Sequence, residues 1–599
     1  MITPETIPKM FFSSVGRFSG KDALRYKKPD GQYTGITWDE MGTAVREAAC
    51  GLISLGVKPG GRVAIIAYNR PEWAIADLAI LSAGAITVPI YHTNTPAQMA
   101  GIVQKSGTRS AFISRAKNAE MLSGLKKQLD CVAFDAVASS VAGKSNVLDF
   151  QGLRRLGSEG LKSGLAAELD KRMNDIRPGD CATIIYTSGT TADPKGVMLS
   201  HANILSNAAA GASIVSVGPD DTCLSFLPLS HVFERTIGQF LMLMTGVTIA
   251  YAESMRTVAD DMRIVRPTVM IAVPRFYEKL YARVTEAVRS APAPRKILFN
   301  AAMKVGRKRM KMEAAGEEIG VGLQVLSQIA NRLVFTRLKE KMGGRIRFFV
   351  SGGAPLAPEI VEFFLAAGVS ILEGYGLTES SPVIAANRLG AVKPGTVGVP
   401  LPGVEVKTAE DGEILVKGPN VMLGYYNDEA ATRSIIKDGW LYTGDVGELD
   451  KDGYLRITDR KKDIIITSGG KNISPQTLEN LIMLDEFICQ VMVYGDRRKY
   501  LTALVVPEYE CLLSIADSLG LAGIQPSELA RQDAVKDFLM SRIAERTADL
   551  AGFEKIKKII VLAEPFSEEC GDLTPTLKVK RKVVIERFRK RLDALYETD

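Results

Sequence analysis

The chain has 599 residues, of which 46% are hydrophobic and 24% charged, and its formal net charge is +7. This length can supply several hydrophobic cores, so we expect two to four domains. The charge is small for the size, which argues against nucleic-acid binding but suits an anionic nucleotide or a membrane surface. The first residues lack a basic stretch followed by a long apolar run. We therefore expect no signal peptide and a cytoplasmic protein.

Short apolar runs alternate with helical patterns from residue 60 to about 375. The runs predicted as strands are RVAIIAY, AITVPIY, CATIIYTSG, TCLSFLPL, TVMIAVP, IRFFVSGG and SILEGYG. Apolar strands separated by helices predict parallel sheets that are covered on both faces. The longest apolar stretch, TIGQFLMLMTGVTIAYA, contains Gly238, Gln239 and Gly246. It predicts a buried helix followed by a strand and not a membrane span.

The pattern changes after residue 394. Residues 394–458 contain glycine and aspartate turns between short alternating strands, which predict a small antiparallel barrel or sheet. After TDRKKD, the strands CQVMVYG and LTALVVP lie among helices, which predicts a compact α+β domain of roughly 140 residues. The fold class predicted is therefore α/β, with a large N-terminal domain over residues 1–459 and a smaller C-terminal domain over 460–599.

The segment YTSGTTADPKGV, residues 186–197, has the composition of a phosphate-binding loop. Its candidate phosphate ligands are Thr187, Ser188, Gly189, Thr190, Thr191 and Lys195. A Walker-type loop has glycine before this lysine and a hydroxyl residue after it, but Pro194 and Gly196 stand there. The residues alone are equally compatible with a loop that folds over a triphosphate and with an ordinary Ser/Thr/Gly surface loop.

Seven segments occur in one order along nearly the whole chain. They are YTSGTTADPKGV, LPLSHVFER, SGGAPL, EGYGLTES, DGWLYTGDVG, DRKKDIIITSGGKNISP and TPTLKVKR. Together they resemble the adenylate-forming ligases, and most closely the long-chain fatty acyl-CoA synthetases. The resemblance implies activation of a long-chain fatty acid by ATP and Mg²⁺ through acyl-AMP, and then transfer to CoA. It also implies an N-terminal adenylation domain and a mobile C-terminal domain.

The resemblance assigns roles to residues in the first domain. The residues expected to flank adenine are Gly353, Ala354, Pro355, Glu373, Gly374, Tyr375 and Gly376, with Tyr375 stacked on the base. Asp445 and Arg460 are expected to contact the ribose. Glu379, which follows Thr378, is expected to bind magnesium together with Thr187.

Further roles concern the C-terminal domain. The resemblance implies that Lys578 bridges the substrate carboxylate and the α-phosphate in the first step. For the second step it implies rotation of this domain about Lys462, which brings Gly469 and Gly470 to line a pantetheine tunnel. His231 then forms an aromatic gate with Phe233 between thiol and adenylate, although core packing would explain Phe233 nearly as well.

Two other functions stay open at this point. One is a related ligase that activates aryl or amino acids, and the segments VPRFYEK and LFNAAMKVG favour the long-chain enzymes over it. The other is a non-catalytic fatty-acid binding protein on the same fold. Binding alone would not require the residues Thr187, Lys195, Glu379, Asp445, Arg460 and Lys578 together.

Residues 291–312 contain seven basic residues and no acidic one, with apolar residues between them. A helix here could bind weakly to the anionic inner face of a membrane as a peripheral contact. Alternatively, its apolar stripe packs on the main domain and its charges are merely solvated.

Overall fold

The computed structural model describes residues 5–114, 129–135, 147–187, 194–521, 523–567, 570–574 and 578–597. Its strands in the first 300 residues are β1 Asp22–Lys27, β2 Tyr33–Thr37, β3 Arg62–Ile66, β4 Ile86–Ile90, β5 Ser110–Ile113, β6 Asp130–Ala133, β7 Val147–Asp149, β8 Cys181–Thr187, β9 Lys195–Ser200, β10 Thr222–Ser225, β11 Thr248–Tyr251 and β12 Val269–Ala272. They are followed by β13 Phe348–Ser351, β14 Ser370–Gly376, β15 Val383–Ala386, β16 Val399–Pro400, β17 Glu405–Thr408, β18 Glu413–Lys417, β19 Gly424–Tyr425, β20 Ile436–Lys437, β21 Trp440–Leu449 and β22 Leu455–Arg460. The last strands are β23 Ile465–Ile466, β24 Asn472–Ile473, β25 Ile488–Tyr494, β26 Leu501–Pro507 and β27 Ile556–Val561.

Helices connect these strands. The α-helices are Ile7–Arg17, Trp38–Ser54, Pro71–Ser82, Pro96–Ser106, Phe150–Gly160, Ala166–Asp175, His201–Ile214, Met242–Thr245, Val258–Val265, Pro274–Arg289, Ala293–Ala314, Val321–Ala330, Thr336–Lys341, Pro358–Ala366, Glu429–Ile435, Pro475–Ile482, Tyr509–Ile515, Pro526–Leu529, Asp533–Arg546 and Arg581–Ala594. Turns of π-helix span Leu161–Leu165, Glu234–Leu241 and Asn331–Phe335, and 3₁₀ turns span Thr378–Ser380, Ala516–Leu519 and Gly552–Glu554.

Two large sheets form the body of the N-terminal region. One has the order β16-β15-β14-β13-β12-β10-β11-β1-β2, and the other has the order β19-β9-β8-β4-β3-β5-β6-β7. Strands β10 to β14 run parallel, and so do β3 to β8 where they pair. Each apolar run predicted as a strand contains one, namely β3, β4, β8, β10, β12, β13 and β14. The prediction of parallel sheets is confirmed.

Burial explains why these strands read as continuous apolar runs. All four residues of β12 are buried, and so are all four residues of β10 and of β11. A strand covered by helices on both faces has no solvent side, so its sequence does not alternate. The long apolar stretch after residue 235 forms the buried π-helix, a short helix and β11, as predicted.

A third sheet follows in the chain and is antiparallel. Its order is β17-β18-β21-β20, and β22 pairs with β21. Gly412, with a φ of +79°, lies in the turn between β17 and β18, where a left-handed residue is needed. The small antiparallel sheet expected from the glycine and aspartate turns is confirmed. It carries residues 445 and 460 on neighbouring strands.

The C-terminal residues form a separate α+β unit with its own cores. Its three-stranded sheet contains β25, β26 and β27. One core consists of buried residues from Ile465 to Val561 in the sequence, and a second consists of buried residues from Met492 to Leu592. The cores of the N-terminal region contain buried residues from Ile7 to Leu455. The predicted strand over DIIIT is shorter than expected, because only Ile465–Ile466 pairs with another strand, β24.

Contacts from one helix join the two units. In helix Pro274–Arg289, Arg275 places Nη2 3.1 Å from Sγ of Cys489. At the end of the same helix, Arg289 forms an ion pair with Glu486. Both partners belong to the C-terminal unit, so this helix is one place where the two units meet. Within the described ranges, every helix is too short or too polar to cross a lipid bilayer.

Candidate active site

Two strands frame the predicted phosphate loop. Thr187 is the last residue of β8, Lys195 is the first residue of β9, and the two are register partners in an antiparallel pair. Of the seven residues between them, residues 188–193 lie outside the described residues, and these include Ser188, Gly189, Thr190 and Thr191. The described ends of the loop therefore stand side by side.

Tyr425 connects Lys195 to Glu379. The Lys195 ammonium lies 4.9 Å from the centroid of the Tyr425 ring. The hydroxyl of the same tyrosine donates a 2.8 Å hydrogen bond to Oε1 of Glu379. Burial, followed by the charge of Glu379, raises the pKa of Tyr425, so the hydroxyl stays a donor. The structure thus brings together two predicted residues that are 184 positions apart in the sequence.

Sequence reasoning missed Tyr425. It lies in β19, which pairs with β9 so that Tyr425 faces Val197, two residues after Lys195. The segment LGYY around it has no local pattern that indicates chemistry. Only the pairing of β19 with β9, 226 residues earlier in the chain, places the ring between the lysine and the carboxylate.

Thr187 and Glu379 offer oxygen ligands that suit a magnesium ion. Among the described residues, no three His, Cys, Asp or Glu side chains are grouped so that they could hold a metal on their own. Mg²⁺ commonly takes one or two protein ligands, with substrate phosphates and water completing its shell. A hydroxyl and a carboxylate beside the phosphate loop fit that pattern. Thr378 opens the 3₁₀ turn that carries Glu379.

Glycines let two chain segments approach closely beside β13. Gly353 has a φ of +88°, a left-handed conformation that favours glycine, and Ala354 and Pro355 follow it. A Cβ on Gly352 would lie 2.8 Å from the ring of Phe233. Phe233 is 7% exposed, so its ring packs in the core, which was the alternative left open.

The EGYG segment forms the end of a predicted strand. Residues Glu373 to Gly376 are the last four residues of β14, which matches the run SILEGYG. They pair with the antiparallel β15, where Gly374 faces Ala386 and Tyr375 faces Ala385. A Cβ on Gly376 would lie 1.8 Å from the carbonyl oxygen of Pro382, so only glycine fits there. Close pairing therefore accounts for this glycine.

Glu373 carries a carboxyl group that is neutral at pH 7. Burial raises its pKa to about 8, against the opposing effect of a hydrogen bond from the backbone of Leu356. Its Oε2 is buried and has no hydrogen-bond partner within the described part of the chain. A buried polar atom without a hydrogen-bond partner destabilises the fold unless a bound ligand supplies the partner. Glu373 belongs to the segment predicted to flank adenine.

Tyr375, Asp445 and Arg460 form a connected cluster. The Tyr375 hydroxyl donates to Oδ2 of Asp445 at 2.7 Å, and Nε of Arg460 donates to Oδ1 at 3.0 Å. Asp445 and Arg460 are register partners on β21 and β22, which fixes the second contact. Each carboxylate oxygen can accept a further hydrogen bond, so Asp445 can still receive donors from a ligand.

Lys578 reaches this cluster from the C-terminal unit. Its backbone N–H donates to Oγ1 of Thr574 at 3.0 Å, and Thr574 N–H donates back to its carbonyl at 2.8 Å. Burial, and next the positive charge of Arg460, lower the pKa of Lys578 to about 8, while Asp445 and Asp463 oppose the shift. The ammonium therefore lies within the electrostatic reach of the residues predicted to bind ribose.

His231 lies in the same region and is neutral. Burial, followed by the charge of Lys578, lowers its pKa to about 4. Its Nδ1 accepts a 3.2 Å hydrogen bond from the backbone N–H of Phe233. The neutral ring therefore carries its proton on Nε2, which makes Nε2 a donor. In this conformation His231 therefore lies within the electrostatic reach of Lys578.

The glycine loop of the C-terminal unit faces its own unit. Gly470 has a φ of +71°, and its N–H donates to the carbonyl of Thr467 at 2.9 Å. The Lys471 ammonium lies 5.6 Å from the ring centroid of Phe553. A Cβ on Gly469 would meet only Oγ1 of Thr467, at 3.8 Å.

Comparison with known proteins agrees with this geometry. The AMP-binding enzyme family matches residues 11–426, and the AMP-binding enzyme C-terminal domain matches residues 462–599. Long-chain-fatty-acid–CoA ligase FadD15 of Mycobacterium bovis is 36% identical over 575 residues, covering 95% of this chain and 94% of that protein. Peroxisomal long chain acyl-CoA synthetase 6 of Arabidopsis thaliana is 35% identical over 588 residues, covering 95% and 82%.

Solved structures show the same fold. The adenylation domain of a carboxylate reductase from Mycobacterium chelonae superimposes with a TM-score of 0.75 at 22% identity, covering 99% of this chain and 91% of that one. The matches to both parts of the chain and the relatives above 30% identity agree with each other. The chain therefore belongs to the AMP-binding enzyme family, as the order of its motifs predicted.

Proposed function

We propose that this protein is an ATP-dependent long-chain-fatty-acid–CoA ligase that works through acyl-AMP. In the first step a fatty carboxylate attacks the α-phosphate of ATP, an oxygen–phosphorus bond forms, and pyrophosphate leaves. In the second step the CoA thiol attacks the acyl carbon, a thioester forms, and AMP leaves. The observation that carries this proposal is the position of Lys578, which comes from the C-terminal unit and lies within electrostatic reach of His231, Asp445 and Arg460.

The first step requires stabilisation of charge more than a protein nucleophile. Lys578 supplies a positive charge where the carboxylate and the α-phosphate would meet. Its partly desolvated ammonium interacts more strongly with an anion than it would in water. Lys195 lies at the C-terminal end of the phosphate loop and stabilises the departing pyrophosphate. The Nε2–H of neutral His231 can donate to an oxygen of the reacting group.

The nucleoside part of ATP is held by the cluster on β14, β21 and β22. Asp445 accepts hydrogen bonds from the ribose hydroxyls while its contacts with Tyr375 and Arg460 keep it in place. The neutral carboxyl of Glu373, whose Oε2 has no partner among the described residues, can donate a hydrogen bond to an acceptor on the edge of the base. Thr187 and Glu379 would hold magnesium, which supplies charge neutralisation for the phosphates when bound.

The second step requires a different arrangement of the C-terminal unit. We propose that residues 460–599 form a mobile domain that rotates about Lys462, withdrawing Lys578 and bringing Gly469 and Gly470 to the site. The separate hydrophobic cores on either side of residues 456–464 support this division. The absence of a Cβ at both glycines leaves room for the thin pantetheine arm.

Peripheral binding to the inner face of a membrane also remains a proposal. The helix Ala293–Ala314 carries the basic residues, but Met303 is buried, and Phe299 and Val305 pack against the main core. These three side chains therefore face the protein, whereas Ile297 and Leu298 are exposed. The surface available for lipid is described in the next section.

Release of pyrophosphate tests the reaction. ATP with a long-chain fatty acid should give pyrophosphate and, with CoA, acyl-CoA. Lys578→Ala should slow acyl-AMP formation by roughly two to three orders of magnitude, the scale of one lost charge-stabilising contact. Thioester formation from supplied acyl-AMP should persist, and Lys580→Ala serves as a matched control from the same basic segment.

The outcomes separate the alternatives. Pyrophosphate release with aryl acids but with no fatty acid of any length would identify a different acid–thiol ligase. Binding of fatty acid without pyrophosphate release would indicate a non-catalytic binding protein. Equal loss of both half-reactions in a folded Lys578→Ala variant would contradict the role given to that lysine.

A further inference from the structure

The net positive charge of the chain is concentrated in one helical hairpin. Helices Ala293–Ala314 and Val321–Ala330 pack against each other, and the chain continues helically to Lys341. We name residues 293–341 the basic hairpin. It contains 11 of the 75 lysines and arginines but only 4 of the 68 aspartates and glutamates. The rest of the chain holds 64 of each, so the hairpin accounts for the whole net charge of +7.

The second helix of the basic hairpin exposes an apolar stripe. Val321 is 76% exposed, Val325 and Ile329 are each 48% exposed, and Leu333 is 46% exposed. Residues four apart share one face of a helix, so these side chains form a row, with Leu326 beside it at 52%. Such a stripe normally faces a core, whereas this one faces solvent. Exposed apolar patches of this kind mark binding surfaces.

The stripe is unusual within this molecule. The described residues contain 18 large apolar side chains that are exposed, and seven of them lie between residues 297 and 333. The remaining eleven are scattered from residue 55 to residue 583. Scattered apolar residues need no explanation, but a cluster within one hairpin does.

The first helix adds an outward basic face. Ile297, Lys304, Lys308 and Lys311 are separated by seven, four and three residues, which places them on one side of the helix. All four are exposed, and Ile297 is 69% exposed. Gly306 lies on the inner side of the same helix, where a Cβ would come within 2.1 Å of the carbonyl oxygen of Ala366. The basic face is therefore directed away from the protein.

We propose that the basic hairpin docks on a lipid bilayer that contains anionic headgroups. The stripe from Val321 to Leu333 enters the boundary between headgroups and acyl chains, and the basic residues contact the phosphates. A helix with an apolar face and basic neighbours binds such a surface through both effects. A second copy of the chain is disfavoured as the partner, because two hairpins of the same charge repel each other and the rest of the chain is neutral overall.

This inference assigns a surface to the peripheral contact proposed above, but it rests on no step of the ligase reaction. It is therefore tested without ATP or fatty acid. The full-length protein is floated with vesicles of phosphatidylcholine alone and with vesicles of phosphatidylcholine mixed with phosphatidylglycerol. We expect binding to the anionic vesicles that weakens as salt is added, and little binding to the neutral ones.

Two variants examine the two parts of the surface. K304Q/K308Q/K311Q should lower partitioning into anionic vesicles by roughly a hundredfold, at about fivefold for each basic residue. V325Q/I329Q keeps good helix formers on the exposed face and should also lower partitioning. The matched controls are K451Q/K536Q/K557Q and I264Q/L513Q, which change exposed residues elsewhere and should bind as the unmodified protein does.

Several results would overturn the proposal. These are equal binding to both kinds of vesicle, no binding at low salt, and equal losses in the hairpin variants and their controls. A change of oligomeric state in V325Q/I329Q, with vesicle binding intact, would identify the stripe as an interface between copies of the chain. Retained pyrophosphate release in variants that no longer bind vesicles would show that the surface and the ligase site are separate, as we expect.

Discussion

Arg289 of the N-terminal region and Glu486 of the C-terminal unit form an ion pair across the boundary between the two units. The arginine side chain is 46% exposed and the glutamate side chain 37% exposed. Arg275, on the same helix as Arg289, contacts Cys489, which lies three residues after Glu486 in the sequence. These contacts exist in the conformation that places Lys578 beside His231, and they would have to break if the unit rotates.

The first prediction concerns this ion pair. Glu486→Arg should slow acyl-AMP formation by about fivefold, because a partly exposed pair contributes up to about 1 kcal/mol. Thioester formation from supplied acyl-AMP should not slow, since that step uses another orientation of the unit. The double variant Arg289→Glu/Glu486→Arg restores the opposite charges and should regain the first half-reaction. Absence of such recovery, measured by pyrophosphate release, would exclude the pair as a conformational contact.

The second prediction is a pH dependence of the first half-reaction. The pKa of Lys578 is lowered to about 8, and the charged ammonium is the form that acts. The kcat/KM for acyl-AMP formation should therefore be full below pH 8 and decline as the pH rises through that value. His231, with a pKa of about 4, stays neutral across this range. The decline should shift to higher pH in Lys578→Arg, because a guanidinium stays charged.

If kcat/KM declines at the same pH in Lys578→Arg and in the unmodified protein, the titrating group is not Lys578. The comparison is informative even when the arginine variant is slow, because the position of the limb and not the maximal rate is compared. Measurement over a range of salt concentrations separates the effect from general screening.

The third prediction concerns the glycine loop. Gly469→Leu should leave acyl-AMP formation intact, since a Cβ at this position meets nothing closer than 3.8 Å in the present conformation. It should impair transfer to CoA, because the side chain would fill the proposed pantetheine tunnel. Gly179 is an exposed loop glycine of the N-terminal region where an added Cβ would meet nothing within 4 Å, and it provides the matched control Gly179→Leu. Normal acyl-CoA formation by Gly469→Leu would refute the tunnel.

The fourth prediction concerns Tyr425. Tyr425→Phe keeps the ring beside Lys195 but removes the hydroxyl that donates to Glu379. Loss of a residue that orients a metal ligand typically weakens metal binding by about 10- to 100-fold. The Mg²⁺ concentration needed for half-maximal pyrophosphate release should rise accordingly. Tyr426→Phe removes a neighbouring hydroxyl and serves as the control. An unchanged Mg²⁺ requirement in Tyr425→Phe would place the metal away from Glu379.

Much of the fold could be predicted because strand signals are local. An apolar run such as VMIA can only be a strand buried on both faces, given its length and the helices around it. The reason for the glycines of EGYG, at the end of β14, could not be predicted. They permit close pairing with β15, which depends on a neighbour that follows later in the chain.

The site was predicted from motifs and less from physical chemistry. The pairing of Asp445 with Arg460 follows from two adjacent strands, and a turn signal between them made it accessible from sequence. The Tyr425 contact depends on β19 joining β9 across 226 residues, which no local pattern encodes. The stripe from Val321 to Leu333 was also missed, because helical apolar spacing is identical for a buried and an exposed face.

Gly306 determines how the basic hairpin is attached. Because a Cβ there would be 2.1 Å from the carbonyl of Ala366, the hairpin helix lies directly on the backbone of helix Pro358–Ala366. That helix follows the loop of Gly353, Ala354 and Pro355, which we propose flanks the nucleotide. The hairpin is thus attached to the N-terminal region by direct helix–helix packing. A bilayer that binds the hairpin would set the orientation of the whole domain, and with it the distance between the lipid surface and the proposed nucleotide site.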